Sequence, residues 1–253
     1  MDLKLRGRRA IVTGGSKGIG RSIAELLADE GCHVSICARN EAEVATAVEA
    51  LKGKGVSAMG EALDVRDRAS LEGWIQRSGE RLGGLDIAVA NVSALDMDRA
   101  ESAWKNTFEI DMMHTVRTVE AALRWIEKSD AGSIVVISSV SGFEFDPASP
   151  AYGTFKAALI HYASRMASTL AGKHIRVNTV SPGNVYFEGG VWHRIERNMP
   201  DRFKTALSKN PWGRLAKPEE VANAAVFLAS PRASFITGAH LVVDGALTNR
   251  VQY

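Results

Sequence analysis

The chain has 253 residues, of which 45% are apolar and 24% charged, with a net charge of +2. That balance suits a globular domain with a substantial core and gives no reason to expect a nucleic-acid or anionic-membrane partner. No apolar run approaches the ~20 residues of a membrane helix, and the N-terminus passes from a few charges straight into a strand-like run, which together predict a cytoplasmic protein.

The first element, "RAIVTG", leads through a glycine-rich turn into an amphipathic helix, "IGRSIAELLADEG". The glycines Gly14, Gly18 and Gly20 are spaced G-x-x-x-G-x-G, with Ser16, Lys17 and Ile19 completing the turn. Glycines permit the tight turn and close backbone approach, while amides at a helix N-terminus face a pyrophosphate. An ordinary turn is the plainer reading, but the flanking strand and helix favour a dinucleotide site. Both cysteines lie around the second strand, "HVSICA", with Cys32 just before it and Cys37 within it, and read as reduced core residues. That strand ends without the acid that would take a ribose 2′-hydroxyl. Arg39 stands there instead, and with Lys17 it could place two cations around a 2′-phosphate, so NADP is the expected cofactor. Solvated loop charge is the competing reading. Asn40 reads as a helix N-cap with Glu43 at the capping-box position.

Further β-branched runs follow: "VSAMGEALD", "LDIAVA", "GSIVVIS", "IRVNTVS" and "AHLVVDG". They alternate with amphipathic segments near 18–30, 41–53, 67–81, 100–128, 150–172 and 217–229. Continuously apolar strands alternating with helices predict an α/β Rossmann fold. The expectation is a doubly wound parallel sheet of about seven strands, with helices on both faces, in one domain spanning 1–253. An aromatic and basic interval at about 183–212 breaks the rhythm and reads as a lid over a site.

Several stretches in the same order, "TGGSKGIG", "LDV", "ISSVSG", "YGTFK", "RVNTVSPG", "GRLAKPEEVANAAVFLAS" and "ITGAHLVVDGA", resemble the short-chain dehydrogenase/reductase family. In texture the chain is most similar to the 3-oxoacyl-[acyl-carrier-protein] reductase type. The resemblance implies hydride transfer between a carbonyl and a secondary alcohol. Tyr152 would be the general acid/base, and Lys156, four residues on, would lower the phenol's pKa from its ordinary value of about 10 and bind the nicotinamide ribose. Ser139, thirteen residues before the tyrosine, would orient the substrate oxygen, leaving Ser138 and Ser141 as turn polarity. By the same resemblance Asp64 and Val65 match an adenine contact, Asn91 a ribose loop, and Pro182, Gly183 and Val185 the loop at the carboxamide. No metal site is implied.

Three positions depart from the family pattern. The "NNAG" loop is Ala90, Asn91, Val92 and Ser93; a usual threonine is Phe187; and the active-site asparagine is Asp111. In the family that residue's main chain holds a water linked to the lysine, so Asp111 joins Ser139, Tyr152 and Lys156 in the expected catalytic set. An ionised carboxylate near Lys156 would weaken its pull on Tyr152 and shift oxidation toward alkaline pH. The alternative is a carboxylate that merely caps a helix kink.

The substrate wall is expected from 93–97, from 142–146 and from the lid, with Phe143, Phe145, Tyr186, Phe187 and Trp192 as aromatic lining. Six basic residues, Arg194, Arg197, Arg202, Lys204, Lys209 and Arg214, face three acids between 186 and 214. The partner is thus a small-molecule carbonyl or alcohol, with a carrier- or coenzyme A-linked acyl group as one form. The resemblance also implies a homotetramer. The competing class is a nucleotide-binding protein with weak or no turnover, acting as a sensor or structural partner.

Overall fold

The computed structural model of the protein describes residues 2–145 and 150–249. In chain order the strands and helices are β1 (Arg9–Thr13), α1 (Gly18–Asp29), β2 (His33–Ala38), α2 (Glu41–Lys52), β3 (Ala58–Ala62) and α3 (Arg68–Leu82). There follow β4 (Ile87–Ala90), α4 (Glu101–Thr107), a π-helical turn over Phe108–Met113, α5 (His114–Ile126), β5 (Ser133–Ile137) and α6 (Pro150–Leu170). The chain then forms β6 (Arg176–Pro182), α7 (Val191–Asn198), α8 (Pro200–Lys209), α9 (Pro218–Ala229) and β7 (His240–Val243).

The strands form one parallel sheet in the order β3-β2-β1-β4-β5-β6-β7, the doubly wound Rossmann arrangement expected from the sequence. Side chains alternate between two cores, as the strand period of two requires. Ala10, Val12, Val34, Ile36, Ile87 and Val89 pack against α1, α2 and α9. Ile11, Cys37, Ala88, Ile134 and Val136 face α3, α5 and α6 instead. Both cysteines are buried free thiols, and burial pushes each thiol's pKa well up. Within the second core Trp74 Nε1 donates to Ser35 Oγ at 3.0 Å, which lies 2.8 Å from Ser78 Oγ.

Helix starts follow local chemistry. The Asn40 side chain accepts from the Glu43 amide at 3.0 Å, and Asp67 caps α3 through the amides of Ala69 and Ser70. The expected continuous helix over 100–128 is interrupted by the π-helical turn, which inserts an extra residue around Asp111. Chain order reverses between β1 and β4, and their carboxyl ends open the crevice where ligands bind in such sheets. No helix among the described residues is long and apolar enough to cross a membrane.

Candidate active site

A cavity of about 1250 Å³ runs along the carboxyl edge of the sheet. Its upper wall begins at the turn between β1 and α1, where Gly14, Ser16, Lys17 and Ile19 line it. Gly18 and Gly20 lie behind that surface. A Cβ on Gly20 would sit 2.3 Å from the Gly14 carbonyl oxygen, so only glycine allows the turn to close this tightly. Gly18 has a φ of +57° and is covered by the Phe187 ring, whose ζ carbon would lie 2.5 Å from an added Cβ. The substitution that removes a family threonine thus brings an aromatic plate down on the turn.

The turn is bolted to the neighbouring strand. Asn91 donates from its amide to Thr13 Oγ1 at 2.9 Å and from Nδ2 to the Thr13 carbonyl at 3.0 Å. Thr13 Oγ1 lies 2.9 Å from His114 Nε2, and His114 Nδ1 lies 2.9 Å from the Ile110 carbonyl. A ring nitrogen facing a carbonyl must carry the proton, so Nε2 accepts from the threonine hydroxyl. Burial, opposed by the Asp111 charge, lowers the His114 pKa to about 4, and the imidazole is neutral at pH 7. Sequence reasoning missed this residue.

At the floor, helical spacing stacks Tyr152 and Lys156 on one face of α6, with 8% and 1% of their surface exposed. Lys156 Nζ lies 5.5 Å from the centre of the Tyr152 ring. It donates to the Ile137 carbonyl at 3.2 Å and forms an ion pair with Asp111 Oδ1 at 3.0 Å. Burial pulls the ammonium's pKa down, but the Asp111 charge, Tyr152 and the hydrogen bond to Asp111 outweigh it and leave the value raised. Ser139 and Ser138, both at the end of β5, divide the labour. Ser139 lines the cavity and accepts from the Ser141 amide at 3.2 Å; Ser138 donates to the Lys156 carbonyl at 2.8 Å, fastening α6 to the sheet.

Asp111 stands beside Lys156, as expected, but is fully buried and is not among the residues lining the cavity. Nor does its carboxylate cap the helix. Both oxygens leave the helix: Oδ1 accepts from Ser93 Oγ at 2.6 Å, and Oδ2 from the Ala94 amide at 2.9 Å. Its main-chain carbonyl is taken by Thr115 Oγ1 at 2.8 Å.

The far end holds Arg39, Asp64, Val65 and Arg66. Here the structure changes the expected charges. Lys17 pairs with Glu43 Oε1 at 3.2 Å, and Ser16 Oγ donates to Glu43 Oε2 at 3.2 Å, so the Glu43 carboxylate faces the turn instead of completing a capping box. Asp64 is gripped by the Arg66 guanidinium, which holds its carboxyl below the usual range. Arg39 makes no hydrogen bond or ion pair among the described residues, although its field also lowers Asp64.

Pro182, Gly183 and Val185 also line the cavity. The arms of the 183–212 interval are stitched by Tyr186 N donating to Ala216 O at 2.8 Å and Ala216 N to Asn184 O at 2.9 Å. Of the five aromatic residues expected in the wall, Phe145, Phe187 and Trp192 line the cavity. Phe143 packs on His240 with ring centres 5.1 Å apart, and Tyr186 hydrogen-bonds Glu196, so neither does. Asp146, at the end of the expected 142–146 wall, lies outside the described residues. Of the basic residues in the lid, only Arg202 and Lys209 line the cavity, and Arg214 is held by Glu220.

This geometry agrees with comparisons to known proteins. A family model described as enoyl-(acyl carrier protein) reductase matches residues 14–248. Isoepoxydon dehydrogenase patN of Penicillium expansum is 39% identical, with 98% of each chain covered. The 3-oxoacyl-[acyl-carrier-protein] reductase FabG of Vibrio harveyi is 35% identical over 97% of this chain and 99% of its own. The crystal structure of L-sorbose reductase from Gluconobacter frateurii, complexed with NADPH and L-sorbose, superposes with a TM-score of 0.90 at 29% identity, covering 99% of this chain and 100% of its own.

Proposed function

The chain belongs to the short-chain dehydrogenase/reductase family and is an oxidoreductase of alcohols and carbonyls; from that premise we propose that it is NADP(H)-dependent, interconverting a small-molecule ketone and a secondary alcohol through Tyr152, Lys156 and Ser139. One observation carries the reading. The Tyr152–Lys156 stack and Ser139 open into the same cavity as the glycine turn and Arg39. The fit to a dinucleotide rests on that continuity and on the turn's packing, which a Cβ at Gly20 would destroy. Pro182, Gly183 and Val185 would hold the carboxamide end, Gly14 to Gly20 the pyrophosphate, Asn91 the ribose loop, and Asp64 with Val65 the adenine.

When bound, the nicotinamide supplies or takes up the hydride. In reduction Tyr152 gives its phenolic proton to the substrate oxygen and takes it back in oxidation. The Lys156 ammonium stabilises the phenolate between those events. Ser139 Oγ donates to the carbonyl oxygen and polarises it. Arg39, with no hydrogen-bond or ion-pair partner among the described residues, would meet a 2′-phosphate in a forked geometry. The NADPH in the sorbose reductase complex supports the same cofactor, and its L-sorbose supports a small polar substrate. Arg202 and Lys209 at the cavity keep a carrier- or coenzyme A-linked acyl group as the competing class. The expected setting is a cytoplasmic homotetramer, which light scattering tests.

Nicotinamide absorbance on mixing the protein with NADPH and a panel of ketones is the direct test. Turnover should fall by at least ~10²-fold in Tyr152→Phe, the scale of a lost general acid, while NADPH still binds. Unchanged turnover in that variant ends the mechanism. NADPH binding with no wild-type turnover on any carbonyl assigns the protein to nucleotide sensing instead.

A further inference from the structure

Two of the departures seen in the sequence meet in one contact. We infer that Ser93 and Asp111 form a single positioning unit, which ties the cavity-wall segment 91–95 to the Lys156 ammonium and sets how strongly that ammonium acts on Tyr152. The inference rests on the proposed role of Tyr152, but its titration and melting readouts are independent of turnover.

Three donors converge on the Asp111 carboxylate: Ser93 Oγ at 2.6 Å, the Ala94 amide at 2.9 Å and Lys156 Nζ at 3.0 Å. A carboxylate offers only acceptors and satisfies all three. An asparagine would present one acceptor and one NH₂ to the same three donors, leaving a donor facing a donor in a fully buried place. Asp111 is therefore the residue that the Ala94 amide and the Lys156 ammonium, both donors only, require together with Ser93. Ser93 in turn belongs to the wall: it lines the cavity with Val92 and Ala94, and its Oγ also accepts from the Leu95 amide at 3.4 Å. The helix accommodates the reach. The π-helical turn carries Asp111 inward, and Thr115 Oγ1 satisfies the carbonyl beside it.

The other charges around the pair are accounted for. His114 from α5 is neutral, Arg117 is paired with Glu109 at 3.0 Å, and α6 contributes Tyr152 and Lys156 themselves. β5 offers only the Ile137 carbonyl, and 91–95 brings no charge. Among the described residues, the carboxylate thus offsets the ammonium's field at the phenol. Removing its charge should favour phenolate.

The test is an ultraviolet difference titration of tyrosinate in the cofactor-free protein, with Tyr152→Phe as the blank for that ring. Asp111→Asn should lower the Tyr152 midpoint by about one pH unit. Ser93→Ala, which leaves the ion pair in place and strengthens its carboxylate, should raise it by about 0.3 unit. Turnover of Asp111→Asn should fall about tenfold, as a mispaired buried donor would cause, and Ser93→Gly in that background, which lets the Ala94 amide turn away from the new NH₂, should restore part of it. The thermal midpoint of the cofactor-free double variant should likewise exceed that of Asp111→Asn. Superimposable titrations of wild type and Asp111→Asn, or losses that simply add in the double variant, overturn the inference. Should Asp111→Asn not fold, an unmoved midpoint in Ser93→Ala does so. A wild type that reduces no carbonyl sinks the proposed function alone, since the titration and melting cycles still read the unit.

Discussion

The two ends of the cavity solve the same electrostatic problem in opposite ways. Beneath Tyr152, the Lys156–Asp111 pair has side-chain exposures of 2% and 0%, and Ser93, the Ala94 amide and the Ile137 carbonyl each hydrogen-bond one of its two ions. At the far end, the Lys17–Glu43 pair has exposures of 61% and 38%. Both are ammonium–carboxylate contacts within 0.2 Å of the same length, 3.0 and 3.2 Å. Water makes the difference. A buried pair is costly to break because one ion is left without solvent, whereas an exposed pair exchanges its partner for water at little cost. A contact that must hold one geometry therefore belongs at the dry end, and one that can exchange its partner at the wet one.

The comparison breaks first at Asp111. Asp111→Ala leaves the Lys156 ammonium buried and alone, and should destabilise the protein by about 3–5 kcal/mol, the usual cost of orphaning one partner. Chemical denaturation of wild type and variant measures it. A loss below about 1 kcal/mol would place this pair in the same regime as a surface bridge and erase the distinction.

The next effect comes from the neutral imidazole in the same dry floor. His114 has a folded pKa of about 4 against an ordinary 6.5, so the unfolded chain binds the proton first as pH falls. Its contribution is fully present above pH 6.5 and is lost progressively down to pH 4, where both states are protonated. That difference amounts to about 3 kcal/mol across the window. Urea unfolding of wild type between pH 7 and pH 5 should show the loss, and His114→Gln should show a shallower slope whatever its stability at pH 7. Parallel slopes would mean the acid lability lies elsewhere.

How much of this contrast could be read from the chain follows from the range of each interaction. The sheet was legible because buried parallel strands are continuous β-branched runs, and helix ends such as Glu41–Lys52 follow a cap at Asn40. Tyr152 and Lys156 were legible because four residues is one helical turn. The π-helical turn was not, since an apolar period of 3.6 across 100–128 does not register one inserted residue. The Ser93–Asp111 contact spans 18 residues and exists only once β4 and the helix after it are packed. Phe143 and Tyr186 were misplaced because an aromatic residue type does not say which side of a loop it packs on. Glu43 was read as a capping residue because its amide does bind Asn40, and nothing local reveals where its carboxylate goes.

At the wet end, Arg39 should matter more than Lys17, since, unlike Lys17 and Arg66, it lines the cavity without a carboxylate partner among the described residues. Arg39→Ala should raise the KM for NADPH about 10- to 100-fold, matching the ~1.5–3 kcal/mol of charge-assisted hydrogen bonds, and leave NADH nearly unchanged. Steady-state kinetics with both cofactors decides. Equal losses with NADPH and NADH would move Arg39 away from the 2′-phosphate.

The smallest effect is expected at Glu43, and it tests the wet side of the comparison most directly. Its carboxylate neutralises Lys17 and repels any phosphate brought beside the turn, but both side chains are well exposed and screened. Glu43→Gln frees the lysine and should tighten NADPH by less than about fivefold, within the ~1 kcal/mol range of surface pairs, with NADH indifferent. The gain should shrink as salt rises, because the Debye length falls to about 8 Å at physiological ionic strength. Titrations of NADPH into wild type and variant at low and high salt give both numbers. A tenfold gain that survives high salt would show a pair shielded from water, and the two ends of the cavity would then differ in shape alone. Weaker NADPH binding in the variant would give Glu43 the opposite role, holding Lys17 in a productive pose for the phosphate.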